Sequence, residues 1–157
     1  MTRSELLAYG PLALELTWDA GWLASIRPRW AQDGETSRIA TAHGRALQEA
    51  FARYVAGERV TWPELPVDLA ALPPFFRAVL TELARIPAGE TLSYGELAAR
   101  CGRPGAARAV GQAMARNPWP LVYPCHRVLA AGGRIGGYGP GLEMKRWLLG
   151  LEGKLPA

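Results

Sequence analysis

The sequence predicts an α/β (α+β) protein, in which a small N-terminal α/β subdomain with a β-hairpin precedes a mainly helical C-terminal domain. Apolar residues alternate at every second position early in the chain, which is the spacing of a half-buried strand. They recur at three- and four-residue spacing later, which is the spacing of amphipathic helices. Residues 58–74 hold four of the thirteen prolines and are interpreted as a linker or an extended covering strand. We therefore expect domains at residues 1–70 and 71–157.

The N-terminal elements follow from local patterns. Four apolar residues alternate with other residues in the first predicted strand: Leu12, Leu14, Leu16 and Trp18. The turn sequence Asp19-Ala20-Gly21 and a second apolar stretch come next, which predicts a β-hairpin over residues 12–30. A helix that stops at Gly57 is predicted after it. Its apolar face consists of Leu47, Phe51, Tyr54 and Val55.

The C-terminal domain is predicted to begin and end with an amphipathic helix. Apolar residues recur at helical spacing from Phe75 to Ile86, and Pro87-Ala88-Gly89 ends that first helix. The last helix is predicted over residues 142–152. Its core-facing residues are expected to be Met144, Trp147, Leu148 and Leu151.

A helix-turn-helix is predicted between these two helices. Ser93 and Glu96 have the spacing of a capping box, which opens a short helix. Gly102-Arg103-Pro104 breaks that helix, and residues 105–116 form a second one, stopped by Asn117. A helix, a short glycine-containing turn and another helix are typical of a winged-helix-like DNA-binding domain.

The second of these helices has one polar face. Arg108, Gln112 and Arg116 recur every four residues, while the opposite side is apolar. Such a face could contact DNA, and a helical hairpin with a solvated face would show the same pattern.

Composition limits the function classes. The net charge is +4 and the isoelectric point is near 9.4, which suits an anionic partner, although genome composition or thermal adaptation would also explain the sixteen arginines. No apolar run reaches the roughly 20 residues of a membrane span, and no signal peptide is recognised, so a cytoplasmic protein is expected. The chain has two cysteines and two histidines, without zinc-site spacing, so neither a metal nor a cofactor is expected.

Cys125 and His126 are neighbours in the stretch VYPCHRVL, residues 122–129, and Arg127 follows them. A free thiol has a pKa of about 8.5, so a nucleophilic cysteine needs a base or a cation nearby. Because neighbouring side chains diverge, a water molecule is expected to bridge the thiol and the imidazole. The hypothesis is a poised, ionised Cys125, and the alternative is an inert buried cysteine.

Glu152 lies in the last turn of the predicted final helix, where the helix dipole disfavours a carboxylate. His126 is its natural partner, which suggests a relay from Glu152 through His126 and a water molecule to Cys125. The alternative is a frayed, solvated helix end. Between the two parts of the relay, residues 130–141 hold six of the eighteen glycines and predict a loop whose backbone can approach a ligand closely.

Four motifs resemble, in order and spacing, the O6-alkylguanine-DNA alkyltransferases: SYGELA, GAARAVGQAMARNP, PCHRV and GGYGPGLEMKRWLLGLEG. The resemblance covers about residues 75–153, and the first 70 residues are similar to the family's variable domain only in general layout. Four ordered motifs are far more specific than one.

The resemblance implies direct reversal of DNA damage. An alkyl group of guanine O6, with thymine O4 as a second candidate position, would pass irreversibly to the motif cysteine, once per protein molecule. Cys125 would be the acceptor, His126 would act through water as the base, and Glu152 would orient it. Tyr94 would donate a proton to the departing guanine. Asn117 would brace the turn before the active-site strand.

The partner implied is double-stranded DNA carrying O6-alkylguanine, bound through its minor groove by a monomer that rotates the damaged nucleotide out of the helix. Arg108 would fill the vacated space. The residues expected to contact DNA are Arg108, Arg116, Gln112, Arg103 and Ser93. The residues expected to form the substrate pocket are Tyr138, Gly139, Pro140, Val128 and Met114.

The chain departs from the family pattern at Gly139 and Pro140, because the family often has serine after the pocket tyrosine. The accepted range of alkyl groups is therefore left open. The zinc ligands of some members have no counterpart here.

Other function classes fit part of the pattern. An alkyltransferase-like protein would bind alkylated DNA without transfer, but those relatives lack the cysteine. A helix-turn-helix regulator with an incidental cysteine would prefer a defined operator and tolerate Cys125→Ala. A zinc deaminase is excluded because its Pro-Cys-x-x-Cys and His-x-Glu elements are missing.

Overall fold

The computed structural model describes residues 2–154, which form two compact units. The first unit ends at Asp68 and the second begins at Leu69. Within the described residues, the first unit has three strands and one α-helix, and the second has four α-helices and two short strands. This arrangement confirms the predicted α/β class. No helix in residues 2–154 is long and apolar enough to span a bilayer.

The first unit is built on an antiparallel sheet with strand order β1-β2-β3. The predicted hairpin consists of β2 and β3, and its turn residues Ala20 and Gly21 have φ of 50° and 85°, as in a type I′ turn. The alternation pattern did not predict β1, because its three buried residues are consecutive. The strands span Thr2–Tyr9 (β1), Leu12–Asp19 (β2) and Trp22–Trp30 (β3).

Helix α1 (Ala42–Val55) packs on this sheet through β1. Leu47, Phe51 and Tyr54 are buried as predicted. Val55 is only half-buried, because it is the last residue of the helix. The proline-rich segment that follows forms neither helix nor strand over residues 58–68.

Glu5 fastens β1 to the start of α1. Its carboxylate accepts hydrogen bonds from Trp18 Nε1 at 2.6 Å and from the backbone N and Oγ1 of Thr41 at 2.7 and 2.8 Å. The Ala40 N–H also donates to it. A Cβ on Gly44 would lie 2.7 Å from Glu5 Oε1, so glycine is required there. Burial alone would raise the pKa of Glu5, but these hydrogen bonds lower it and keep the carboxylate ionised.

The second unit contains the predicted helix-turn-helix in α3 and α4. The Ser93 capping box is confirmed: the Glu96 N–H donates to Ser93 Oγ at 3.0 Å, and the Ser93 N–H donates to Glu96 Oε1 at 2.9 Å. A two-residue parallel pair joins the segment before α3 to the segment after the PCHR motif. The elements are α2 (Pro74–Leu83), β4 (Leu92–Ser93), α3 (Tyr94–Arg100), α4 (Ala107–Ala115), β5 (Val128–Leu129) and α5 (Leu142–Leu151).

The buried face of α5 differs from the predicted one. Met144 and Leu148 are buried as expected, but Trp147 and Leu151 are only half-buried. The buried face instead includes Lys145 and Leu149. The prediction was half right, because it considered only apolar residues: it could not include Lys145, and it chose Trp147 and Leu151 in place of Leu149.

Substitution Glu5→Gln is expected to lower the free energy of unfolding by about 2 kcal/mol, because an amide cannot satisfy all the buried donors that now face a charged carboxylate. Urea unfolding at neutral pH measures this. Glu15→Gln is the matched control, since the Glu15 side chain is 48% exposed and pairs with Arg29 at the surface. The control should change stability by no more than about 0.5 kcal/mol. Equal losses in both variants would contradict the role given to Glu5.

Candidate active site

The thiol of Cys125 is buried in a tight turn. Residues Cys125–Arg127 form one turn of 3₁₀-helix after Pro124, and all three side chains are buried. Strand β5 begins only at Val128. The predicted active-site strand is therefore corrected: the cysteine precedes the strand. A tight turn explains how neighbours in the chain can point to different partners.

Asn117 holds the segment that leads into this turn. Its Nδ2 donates to the carbonyl oxygen of Tyr123 at 2.8 Å, and its Oδ1 accepts from the Trp119 N–H at 3.0 Å. Its side chain also hydrogen-bonds to Cys125. Leu121, between these contacts, has φ of 80°, which is costly for a residue with a branched side chain. The structure thus brings Asn117 to the site, as the sequence predicted.

Glu152 and His126 meet in the interior. Glu152 caps the C-terminus of α5, and its Oε2 lies 2.7 Å from His126 Nε2. The expectation that these two side chains pair agrees with this geometry. Because the carboxylate is ionised, the imidazole nitrogen facing it carries the proton.

Arg127 is the partner of Glu152 that sequence reasoning missed. Its Nε and Nη2 donate to the two carboxylate oxygens at 2.8 and 3.0 Å, and its Nη1 donates to the carbonyl oxygen of Ile86 at 2.6 Å. Burial alone would raise the pKa of Glu152, but the hydrogen bonds from His126 and Arg127 and the charge of Arg127 hold it well below its usual value. The sequence did contain a signal for this pair: Glu152 lies at an unfavourable helix end and needs a partner, and Arg127 is a basic residue directly after His126.

The other nitrogen of His126 points at no protein acceptor or donor. Among residues 2–154, Nδ1 is buried without a hydrogen-bond partner. Burial lowers the pKa of His126 despite its contact with Glu152, so the ring is neutral at neutral pH. With the proton on Nε2, Nδ1 has a free lone pair and can act as a base.

A cavity of about 140 Å³ lies beside the thiol. Three elements besides the cysteine turn contribute to it: α3 supplies Tyr94, α4 supplies two small residues and a methionine, and the glycine loop supplies backbone and an aromatic ring. Its lining residues are Tyr94, Gly111, Met114, Ala115, Cys125, Gly137, Tyr138 and Gly139. Of the predicted pocket residues, Val128 and Pro140 are not in this lining.

The glycine loop approaches Tyr94 closely. A Cβ on Gly136 would lie 3.1 Å from the Tyr94 hydroxyl and 3.2 Å from the backbone N of Ala130. The φ of Gly136 is 71°, which also favours glycine. The loop can therefore pass over the Tyr94 hydroxyl only because residue 136 has no side chain.

The resting thiol is protonated, which corrects the expectation of an ionised Cys125. Burial raises the pKa of Cys125, and the hydrogen bond from Asn117 and the charge of Lys145 oppose that shift without cancelling it. The pKa of Tyr138 is also raised, to well above its usual value. Burial is the main cause, and the nearby Cys125 and Glu152 add to it. Both groups are neutral at neutral pH, so the thiol must lose its proton during reaction.

Lys145 is a second residue that the sequence prediction missed. Its side chain is fully buried, and its Nζ donates to the backbone carbonyl oxygens of Val128 in β5 and of Gly137 in the glycine loop. No sequence signal marked it, because lysine is almost never fully buried and its position in the helix is expected to face solvent.

The predicted DNA-contacting residues divide into two groups. Arg108, Gln112 and Arg116 are exposed on or next to α4, as their spacing predicted. The other two also make contacts within the chain: the guanidinium of the exposed Arg103 lies 5.1 Å from the centre of the Phe75 ring, and Ser93 caps α3. Contact of either group with DNA stays a prediction.

No group of three or more histidine, cysteine, aspartate or glutamate side chains in the described part of the chain is arranged to hold a metal ion.

Known proteins resemble this chain in sequence and structure. Residues 74–154 match the family described as 6-O-methylguanine DNA methyltransferase, DNA binding domain. The methylated-DNA–protein-cysteine methyltransferase of Salmonella typhimurium is 42% identical over 118 residues, covering 75% of this chain and 68% of that protein. The protein of that name from Mycobacterium leprae is 50% identical over 125 residues, covering 77% and 74%. The crystal structure of Mycobacterium tuberculosis OGT in complex with DNA has a TM-score of 0.75 and 36% identity, covering 99% of this chain and 95% of that one.

Substitution Glu152→Gln is expected to lower the free energy of unfolding at pH 7 by about 3 kcal/mol, because Arg127 would keep a buried charge without its counter-charge. The folded-state pKa of Glu152 is below the unfolded one, so the stabilisation is complete above the unfolded value of about 4.3 and is lost as the pH falls below it. The stability gap between the two proteins should therefore narrow below about pH 4.

Urea unfolding from pH 3.5 to 7 measures that gap. Glu143→Gln is the control, because Glu143 is exposed in the first turn of the same helix. This substitution should change the free energy of unfolding by only a few tenths of a kcal/mol. A gap that stays constant down to pH 3.5 would show that ionised Glu152 is not the stabilising species.

Proposed function

Because the chain belongs to the 6-O-methylguanine DNA methyltransferase family, we propose that Cys125 is the residue that receives the alkyl group. The activity is direct-reversal DNA repair by transfer of an alkyl group from DNA to a cysteine of the protein, that of a methylated-DNA–protein-cysteine methyltransferase. Both cysteines are in the described residues, and only Cys125 lines the cavity. Cys101 lies in the turn after α3. The position of Cys125 in the cavity lining is the observation on which the choice of Cys125 over Cys101 rests.

The proton of the thiol goes to His126. Its Nδ1 has a free lone pair, and a water molecule between Nδ1 and the sulfur transfers the proton as the S–C bond forms. The imidazolium that results lies against the carboxylate of Glu152, which is already ionised and held by Arg127. Its charge is therefore compensated as it forms, without movement of the surrounding groups.

The leaving group is guanine, whose O6–alkyl bond breaks as the S–C bond forms. Tyr94 lines the cavity with Cys125 and donates its phenolic proton to the departing base. The proton on His126 restores the phenol through solvent, so the reaction ends with a thioether, an intact guanine and neutral side chains. A thioether has no ionisable proton and is a poor leaving group, so each protein molecule reacts once.

The substrate is an O6-alkylguanine in double-stranded DNA. A stacked base cannot present its alkyl carbon to a thiol, so the nucleotide must rotate out of the helix at a cost of a few kcal/mol. Gly111 and Ala115 lie on the cavity side of α4, and the exposed Arg108 and Gln112 lie on the same helix. The rotated base therefore enters next to the helix that faces DNA.

Arg108 takes the place of the rotated nucleotide in the duplex. The small residues of α4 allow the helix to lie deep in the minor groove, where little sequence information is available, as a repair protein requires. Arg116, at the C-terminal end of α4, contacts phosphate and makes the affinity salt-dependent. A single chain holds every group of this mechanism, so the protein acts as a monomer.

Mixing the protein with a duplex oligonucleotide that contains O6-methylguanine should raise its intact mass by one methyl group, with no further turnover. Peptide mapping should place the methyl group on Cys125. Cys101→Ser should react like the unchanged protein, whereas Cys125→Ser should gain no mass. A methyl group on another residue would refute the assignment, and tight binding without a mass change would favour the alkyltransferase-like class.

Arg108→Ala should slow repair in duplex DNA by about tenfold or more, which corresponds to about 1.4 kcal/mol of lost transition-state stabilisation. Its reaction with free O6-methylguanine base should be unchanged, because no nucleotide has to be held out of a helix. Single-turnover rates on the two substrates measure the difference. Arg116→Ala is the control and should mainly weaken DNA affinity and its salt dependence. Equal losses for Arg108→Ala on both substrates would contradict the role of Arg108.

A further inference from the structure

Lys145 is a charged residue inside the second unit that the mechanism above does not use. Lysine is almost never fully buried unless its charge is paired, and this side chain has no exposed area. It lies on the buried face of α5 with Met144, Leu148 and Leu149. Removing an ammonium from water is costly, so its position requires an explanation.

The ammonium connects the strand after the Cys125 turn to the glycine loop. Its Nζ donates to the carbonyl oxygen of Val128 at 2.7 Å and to that of Gly137 at 3.0 Å. Val128 begins the strand that directly follows the Cys125 turn, and Gly137 lines the cavity next to Tyr138.

The glycine loop needs such an anchor. Two backbone hydrogen bonds, from the Ala130 N–H to the Arg134 oxygen and from the Gly141 N–H to the Tyr138 oxygen, close the loop on itself, and a third, from the Lys145 N–H to the Gly141 oxygen, ties its last residue to α5. Glycine carries the largest conformational entropy of any residue, so a segment this rich in glycine is intrinsically loose. The contact with Lys145 fixes it relative to the helix and the active-site turn.

The ammonium also acts on the sulfur. Lys145 and Cys125 interact electrostatically: the lysine charge favours the thiolate, and the thiolate favours the charged lysine. Burial lowers the pKa of Lys145 to about 8, and Cys125 raises it in part. At pH 7 about nine-tenths of the molecules therefore still carry the positive charge.

We propose that Lys145 is a positioning residue of the alkyl-transfer site, whose buried ammonium holds the glycine loop against the strand after Cys125 and stabilises the thiolate that forms during transfer. This inference rests on Cys125 being the acceptor. Lys145 is not itself among the residues that line the cavity, so it acts through the loop that it holds and through its charge. The protonated state of the resting thiol explains the need for it, because the thiolate is generated only at the moment of reaction.

The first experiment measures the reactivity of Cys125 without DNA. In a Cys101→Ser background only one thiol remains, and its alkylation by iodoacetamide between pH 6 and 10 gives its apparent pKa. Lys145→Met should raise that pKa and slow alkylation at pH 7.5 by about tenfold, whereas Lys145→Arg should recover much of the rate because it keeps the charge. The groups facing the sulfur and the lysine in these titrations are His126, Tyr138 and Glu152, and all three stay unchanged.

Lys154→Met is the matched control, because Lys154 is the only other lysine, is exposed and carries the same charge. It should leave the pKa, the alkylation rate and the repair rate unchanged. Hydrogen exchange of residues 130–141 should be faster in Lys145→Met and normal in Lys154→Met. Single-turnover repair of O6-methylguanine should slow in Lys145→Met at least as much as alkylation does. An unchanged thiol pKa together with unchanged loop exchange in folded Lys145→Met would overturn the proposal.

A second measurement does not require that Lys145→Met fold. With only two lysines, the ¹³Cε spectrum of the unsubstituted protein has two lysine signals, and Lys154→Met identifies them. The signal that titrates near pH 8 should belong to Lys145, and Cys125→Asp should raise its midpoint, because a carboxylate in place of the neutral thiol favours the charged form of a nearby lysine. The same midpoint in both proteins would refute the electrostatic link. The alkylation, hydrogen-exchange and NMR experiments contain no DNA. Their results therefore test the role of Lys145 even if methyl transfer to Cys125 fails.

Discussion

The need to keep one buried carboxylate charged organises this site. Glu152 lies at a helix C-terminus, where both the helix dipole and burial oppose its ionisation. Arg127 offsets that cost with a two-pronged contact and is itself tied to the end of α2 at Ile86. The ionised carboxylate then determines which nitrogen of His126 carries the proton. A structural ion pair thereby decides the direction in which the imidazole can act as a base.

The same burial keeps the nucleophile inactive until it is needed. A low dielectric opposes the thiolate of Cys125 as strongly as it opposes any isolated charge, and the hydrogen bond from Asn117 and the charge of Lys145 only moderate that effect. A protein that reacts once benefits from this arrangement, because a permanently ionised thiol would be consumed by small electrophiles. The proton acceptor His126 and the cation Lys145 are in place beforehand. The reactivity of Cys125 therefore depends mainly on the entry of the alkylated guanine into the cavity.

Local sequence signals predicted much of this structure. The capping box at Ser93 and the hairpin turn at Ala20 are determined by residues close in the chain, and both formed as expected. The pairing of His126 with Glu152 was also foreseen, because an unfavourable charge at a helix end indicates a missing partner. The buried face of α5 was foreseen only in part, since a pattern of apolar residues cannot include Lys145.

The sequence by itself therefore determined the class of the fold, the identity of the cysteine motif and the residue types available for chemistry. Only the tertiary structure decided that Arg127 pairs with Glu152, that Lys145 connects the glycine loop to the strand after Cys125, and that Cys125 rests as a protonated thiol. The physical reason is that capping, turns and amphipathic periodicity act over a few residues, whereas desolvation and ion pairing depend on which distant segments exclude water together.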